Sequence, residues 1–248
     1  MFWTEFFLIV AICAVLCALA YLRRILTWDG AVAALAFGIV IGVAGGISWV
    51  LLLLLFLLTS FAATRYKFHI KRQRGIQEGI AGERGWKNVV ANGFVPFIIA
   101  ILTIEEIPFH LEGDLGAILF LCAVAVAASD TLASELGVLA RKTWMITTLK
   151  PVKAGVDGGV SIPGQAFAAI AAIYTGMTGI LVFNFMDGFE FNLLYVILIA
   201  DIGFLGCQLD SVIGATLETD GKVSKLTNNL LSISVGTIVA WMVMTWLL

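Results

Sequence analysis

The sequence predicts an all-α membrane protein in which about eight transmembrane helices form one bundle. Hydrophobic residues make up 60% of the 248 residues and charged residues only 13%, and the mean hydropathy is +1.01. Because a soluble domain is typically about half apolar and a quarter charged, no soluble fold would hide this much apolar surface. No polar linker divides the chain, so we treat residues 1–248 as a single integral membrane domain.

Apolar runs of about 17–25 residues, long enough to cross a bilayer as helices, divide the chain into eight segments. They lie near residues 2–22, 30–46, 47–63, 88–107, 114–131, 161–183, 192–212 and 229–247. The second and third segments meet at Gly45-Gly46. A tight helical hairpin and a short re-entrant pair are both compatible with the sequence there.

The basic residues are confined to alternate connections. All 15 Lys and Arg residues follow the first, third, fifth or seventh segment, whereas the other connections carry acidic residues instead. The positive-inside rule then places the basic connections in the cytoplasm and both termini outside. We expect an integral protein of a prokaryotic plasma membrane, surrounded by membrane lipids, with its polar sites facing the cytoplasm and no nucleic-acid partner.

Two similar polar motifs end the fifth and seventh segments on the predicted cytoplasmic side. The first contains Asp130, Ser134 and Glu135, and the second contains Asp210 and Ser211. Residues four apart share a helix face, so Asp130 and Ser134 point the same way. Converging carboxylates and hydroxyls form a hard oxygen site suited to Mg²⁺. The alternative is that each Asp simply ends a helix where water already reaches it.

The connection from residue 150 to 164 is rich in glycine and leads directly into the sixth segment. Glycines let backbone N–H groups turn toward a ligand, and a helix N-terminus favours anions. The loop therefore has the ingredients of a phosphate cradle, although no Gly-Lys-Ser/Thr makes it a Walker motif. A flexible turn with Ser161 as helix cap is the alternative. The residues of this loop that are candidates to bind phosphate are Lys153, Gly155, Asp157, Gly158, Gly159 and Ser161.

The connection around residues 64–87 is the most basic one and contains Lys71 and Arg84. Such a segment often holds anionic lipid headgroups. Asn92 and Asn229 are predicted at the membrane depth of the two aspartates, where amides bind a headgroup, a base or each other. His69 and His110 fall on opposite sides of the predicted membrane, which argues against a zinc site or a Ser-His-Asp nucleophile.

Three linked motifs resemble an integral membrane family catalogued as domain of unknown function 92. They are Asp-Thr-Leu-Ala-Ser-Glu-Leu-Gly-Val-Leu at 130–139, Gly-Val-Asp-Gly-Gly-Val-Ser at 155–161 and Asp-Ser-Val-Ile-Gly-Ala-Thr-Leu at 210–217. Residues 84–93 and Asn-Leu-Leu at 229–231 fit the same pattern, so the likeness runs through nearly the whole chain. One departure is Cys207-Gln208, where the family is expected to have a plainer run of small residues.

This family includes plant phytyl-phosphate kinase and transmembrane protein 19. The resemblance implies Mg²⁺-assisted phosphorylation of an isoprenyl monophosphate, such as phytyl or geranylgeranyl phosphate, with CTP or another nucleoside triphosphate as donor. In that reaction Asp130, Glu135 and Asp210 would hold Mg²⁺, and Lys153 and Arg84 would also serve catalysis. The residues expected to bind substrates are Lys71, Asn92, Ser134, Gly155, Asp157, Gly158, Gly159, Ser161, Ser211 and Asn229.

Two other functions use similar residues. A cytidylyltransferase would need the same Mg²⁺ and polyanion site but would leave a nucleotide on the lipid. A transporter would also use Gly-broken helices and acidic residues within the bundle. The outward connections are short and acidic and the polar motifs face inward, which favours an enzyme.

Overall fold

The computed structural model describes residues 2–108, 110–111 and 113–247, which are mostly helical. Its helices are α1 (Phe2–Leu22), α2 (Trp28–Arg65), α3 (Phe68–Gln73), α4 (Trp86–Leu102), α5 (Leu115–Gly137), α6 (Ile162–Asp187), α7 (Leu193–Ile213) and α8 (Lys225–Leu247). Within the described residues, six helices are long and apolar enough to cross a membrane, namely α1, α2, α5, α6, α7 with its π-helical extension, and α8. The all-α membrane bundle is thus confirmed, whereas eight crossings and outward termini stay predictions.

Helix α2 is a hairpin of two arms, residues 28–45 and 47–65. Gly46 between them is non-helical, with φ 83° and ψ −177°. A straight helix of its 38 residues would be about 57 Å long. Instead, Arg84 bridges both ends: its carbonyl accepts from Thr27 N at 3.1 Å and its Nη2 donates to Thr64 Oγ1 at 3.1 Å. The two arms therefore lie side by side, as a helical hairpin at Gly45-Gly46 requires.

Helix α5 forms the centre of the bundle. Every residue from Ile118 to Ser129 is buried, and α5 packs against α2, α4, α6, α7 and α8. A helix that is apolar on all sides is surrounded either by protein or by lipid, and α5 is surrounded by the other helices. Its C-terminal end therefore presents Asp130 at the middle of the bundle rather than at its rim.

Small residues bring α7 close to α5. A Cβ on Gly206 would lie 2.5 Å from Val126 Cγ2, and one on Gly203 would lie 2.9 Å from Ala125 Cβ. Glycine at a helix interface permits such close backbone approach in membranes. The next turn of each helix carries an aspartate, so this packing determines the distance between the two acidic motifs.

A small antiparallel sheet forms in the connection between α5 and α6, and the sequence patterns predicted no strands there. Its strands are β1 (Thr143–Met145), β2 (Pro151–Val152) and β3 (Gly159–Val160), in the order β2-β1-β3. Thr143 pairs with Val152 and Trp144 with Val160. Strands of two or three residues carry too little alternation to be recognised in sequence. The sheet anchors both ends of the glycine-rich loop.

Candidate functional site

A cleft of about 350 Å³ opens where α5 and α7 end and where α6 and α8 begin. The charge pattern predicts that this end of the bundle faces the cytoplasm. Its walls come from the α5 and α7 ends, residues 75–78, the loop 155–161 and the first turns of α6 and α8. Helices α6 and α8 thus direct their N-termini, the positive ends of their dipoles, toward the cleft.

The carboxyl groups of Asp130 and Asp210 contact each other in this cleft. Asp210 Oδ1 accepts a hydrogen bond from Ser232 Oγ at 3.1 Å, and its Oδ2 accepts one from Asn228 Nδ2 at 3.4 Å. Two carboxylates at contact repel strongly in a poorly solvated site unless positive charge lies between or beside them. The two acidic motifs therefore meet in space and form a site suited to a cation.

Lys225 supplies positive charge at the mouth of the same cleft. It begins α8 and lies within electrostatic range of Asp130 and Asp210. Lys225, Asn228 and Ser232 are spaced i, i+3 and i+7, which puts them on one helix face directed at the acidic pair. The sequence interpretation used Lys225 only for topology; the spacing of these three polar residues was the signal that it missed.

The glycine-rich loop packs directly against the end of α7. Gly158 has φ +74°, and a Cβ there would overlap Ala215. A Cβ on Gly214, at the start of the π-helical turn Gly214–Glu218, would lie 3.1 Å from Gly158 N. Gly155 approaches Ile76 in the same way, with 2.7 Å between a Cβ there and Ile76 Cγ2. The structure thus brings the loop, with Gly155, Asp157, Gly158, Gly159 and Ser161, into the wall of the aspartate cleft.

Ser161 joins two helix ends. Its buried Oγ accepts from Gly164 N at 3.2 Å, as an N-cap of α6, and donates to Gly137 O at 3.1 Å at the end of α5. The helix-cap interpretation thus accounts for its hydroxyl, although Ser161 also lines the cleft. Ser134 and Ser211 line the cleft as well; Ser134 Oγ donates to Thr131 O within α5.

The prediction that Lys71 binds a substrate is wrong for this structure. Its side chain is completely buried, and Nζ donates to Ala63 O at 2.8 Å, Thr64 O at 3.1 Å and Glu135 Oε2 at 2.6 Å. An ammonium group has three N–H donors, so none remains for a ligand. Lys71 instead links the C-terminal end of α2 to α5 through these hydrogen bonds.

Glu135 is correspondingly engaged outside the acidic pair. Its Oε1 accepts from Thr64 Oγ1 at 3.0 Å while Oε2 accepts from Lys71. Across the part of the chain that the structure describes, no three His, Cys, Asp or Glu side chains are grouped to hold a metal ion. Glu135 lines the cleft, but each of its carboxylate oxygens accepts a hydrogen bond from Lys71 or Thr64, so Asp130 and Asp210 remain as the candidate metal ligands among the three predicted carboxylates.

Three further predicted residues lie outside the cleft. Lys153 follows β2 on the exposed surface and does not contribute to the cleft wall. Asn229 is buried behind the cleft in α8, and Asn92 is buried beside a separate apolar groove. Their position near the membrane surface stays a prediction, and the sequence alone did not give the helix rotations that decide which face each residue occupies.

Arg84, predicted as a catalytic residue, lines that apolar groove and does not line the cleft. Its buried guanidinium donates through Nη2 to Thr64 Oγ1 at 3.1 Å and through Nη1 to Asn88 Oδ1 at 3.5 Å. Burial lowers the pKa of Arg84 from its ordinary value, while the nearby carboxylates of Glu135, Glu78 and Asp130 raise it again. An arginine stays charged under such conditions, so Arg84 is a fixed buried cation.

The long apolar helices identify the chain as an integral membrane protein, and its acidic cleft lies where several of these helices end. The chain belongs to the DUF92 integral membrane protein family, whose profile matches residues 11–244. This confirms the family that the three sequence motifs resemble.

Similarity to individual proteins extends over most of the chain. It is 30% identical to the uncharacterized membrane protein MJ0933 of Methanocaldococcus jannaschii, covering 91% of this chain and 90% of that one. It is 32% identical to the uncharacterized membrane protein sll0875 of Synechocystis, covering 85% and 78%. It is 26% identical to the chloroplastic protein VTE6 of Arabidopsis thaliana, covering 90% and 66%. No solved structure matches the chain.

Proposed function

We propose that this protein is a membrane phosphotransferase that converts an isoprenyl monophosphate into its diphosphate, with CTP or another nucleoside triphosphate as donor. The observation that carries the proposal is the contact of Asp130 and Asp210 beside Lys225 in a cleft walled by a glycine-rich loop. Family membership, the motif resemblance to phytyl-phosphate kinase and the likeness to protein VTE6 support the substrate class. The active site faces the cytoplasm in the proposed orientation.

The residues of the cleft fit a magnesium ion. Mg²⁺ is usually bound by one or two carboxylates together with waters and substrate phosphates. Asp130 and Asp210 supply two carboxylates, and the buried Oδ1 of Asn228 has no hydrogen-bond partner in the described residues. When bound, Mg²⁺ would neutralise phosphate charge between the two substrates. Without cations the cleft would repel a polyphosphate, because Asp157 and Glu218 add further negative charge to it.

Apart from the metal ion, catalysis would depend on positioning the two substrates and on fixed positive charge. A phosphate monoester already carries about −1.5 to −2 charges near neutral pH, so it attacks without a strong general base. In agreement, no described residue that lines the cleft is a histidine. Lys225 and the N-termini of α6 and α8 direct positive charge at the developing charge of the transferred phosphoryl group. The loop 155–161, held against α7, forms the surface on which the nucleotide phosphates rest.

Phosphoryl transfer is measured with detergent-purified protein, Mg²⁺, γ-labelled CTP and geranylgeranyl or phytyl monophosphate. We expect label to enter a lipid diphosphate, with at least about 100-fold lower rates for Asp130→Asn, Asp210→Asn and Lys225→Ala. Asp220→Asn and Lys222→Ala are matched controls, because these two residues form an exposed ion pair with 57% and 63% of their side chains accessible. Both controls should transfer phosphate at the wild-type rate.

The products decide between the related reactions. Release of CDP with a lipid diphosphate supports the kinase, whereas release of diphosphate with a CDP-lipid identifies a cytidylyltransferase. No transfer from any of several nucleotides to several prenyl phosphates would refute the phosphotransferase proposal, and transport of an anion into proteoliposomes would then be tested.

A further inference from the structure

An apolar groove lies beside the cleft, between α1, both arms of α2, α4 and α5. It encloses about 130 Å³. Small residues at the helix contacts leave this space: Ala34 and Gly38 on the first arm of α2, Gly93 on α4 and Ala127 on α5. An apolar protein cavity of about 150 Å³ is large enough to bind a small hydrocarbon. The groove therefore has the size and the lining of a site for part of a hydrocarbon chain.

The groove has one polar end, where Arg84, Asn88 and Asn92 lie together. Arg84 Nε and Asn92 Oδ1 are buried and have no hydrogen-bond partner in the described residues. Leaving buried polar atoms unpaired is costly, and such atoms in a native protein commonly mark a position where water or a ligand binds. Here they sit at the end of an otherwise apolar groove, so they indicate a ligand with a polar head and an apolar chain.

This polar end adjoins the wall of the aspartate cleft, although no residue that the structure describes lines both. Asn88 Nδ2 donates to Glu78 Oε1 at 2.6 Å, and Glu78 lines the cleft. Arg84 is also within electrostatic range of Asp130. On α5, Ala127 lines the groove and Asp130, three residues later, lines the cleft. A lipid whose head reaches the cleft would thus have its chain at the mouth of the groove.

We propose that the groove binds the phosphate-proximal part of an isoprenoid chain, with Arg84 beside the lipid phosphate and the chain running toward Ile41 and Val50. The choice of a prenyl phosphate rests on the proposed function. The cationic head position and the apolar lining match its anionic head and hydrocarbon tail. At about 130 Å³ the groove encloses only this first part of the chain, and the remainder would extend into the bilayer.

Photo-crosslinking on the wild-type protein tests this site directly. The probe is a geranylgeranyl monophosphate analogue that carries a diazirine on its second isoprene unit, and labelled peptides are mapped by mass spectrometry. We expect label on the peptides that contain Cys17, Phe37 or Leu53, and competition by excess unlabelled geranylgeranyl monophosphate. Asp220→Asn should keep this labelling, because Asp220 is exposed and lines neither the groove nor the cleft.

A matched pair of variants tests the groove itself. Ala34 lines the groove, whereas Ala36, two residues away on the same helix, is exposed on the bundle surface. Ala34→Phe should lower labelling by the C20 probe at least about tenfold, equivalent to about 1.4 kcal/mol. It should lower labelling by the corresponding C10 probe by a similar factor, because the two probes share their phosphate-proximal isoprene units. Ala36→Phe should leave both unchanged.

The outcomes of these experiments distinguish failure of the groove proposal from failure of the kinase proposal. Competed labelling of these peptides without phosphoryl transfer supports the groove and refutes the kinase. Transfer without such labelling refutes the groove alone. Label spread over α6–α8, equal competition by phosphatidylglycerol, or the same effect from both variants would overturn the prenyl-chain site.

Discussion

Replacing Lys71 by Met tests whether this buried lysine stabilises the fold or binds a ligand. The Lys71 side chain is 0% exposed and Glu135 is 12% exposed, so the pair is nearly removed from solvent. Met removes the charge and all three donors, leaving Glu135 and the carbonyls of Ala63 and Thr64 without their partner. Removing one member of a buried ion pair costs about 3–5 kcal/mol, because the other charge stays buried and unpaired.

The free energy of unfolding is followed through the thermal transition in detergent, with tryptophan fluorescence as the signal. A loss of 3–5 kcal/mol corresponds to a shift of about 6–20 °C for a chain of this size. Lys222→Met removes the exposed partner of Asp220 and should change stability by less than about 0.5 kcal/mol. Lys71→Met with Glu135→Gln should recover at least half of the loss, since Gln removes the unpaired charge and keeps an acceptor for Thr64.

An unchanged transition temperature in Lys71→Met, combined with weaker binding of geranylgeranyl monophosphate, would refute the stabilising role. It would instead restore the interpretation of Lys71 as a phosphate ligand. Failure of the double variant to recover stability would show that the backbone contacts, rather than the Glu135 charge, carry the effect.

Two further substitutions test how the cleft is held together. Gly158→Ala should abolish phosphoryl transfer and lower the transition temperature, because the new Cβ overlaps Ala215. Gly221→Ala is the control, since Gly221 has a similar φ of +70° but open space around it. Equal effects of the two substitutions would show that only backbone strain matters. Ser161→Ala should cost about 1–2 kcal/mol of stability, because it removes the α6 cap and the hydrogen bond to Gly137. Thermal unfolding measures this loss of stability, and an unchanged transition temperature would contradict the capping role.

The class of protein was predictable because it depends on local composition. Apolar runs of bilayer length, separated by connections of alternating charge, predicted an all-α membrane bundle without any knowledge of contacts. Gly45-Gly46 marked the break in α2, since glycine adopts the positive φ seen at Gly46. The two Asp motifs were recognisable because acidic residues are rare within apolar segments of membrane-spanning length.

The composition of the site depended on tertiary packing. Asp130 and Asp210 meet because Gly203 and Gly206 let α7 approach α5, and such an interhelical distance cannot be read from either segment alone. The same packing buries Lys71 away from the cleft and pairs it with Glu135, which lies in the cleft wall. Local sequence predicted which polar residues end the apolar segments. Only the rotation and spacing of the helices decided which of them, including Lys225, face the same cleft.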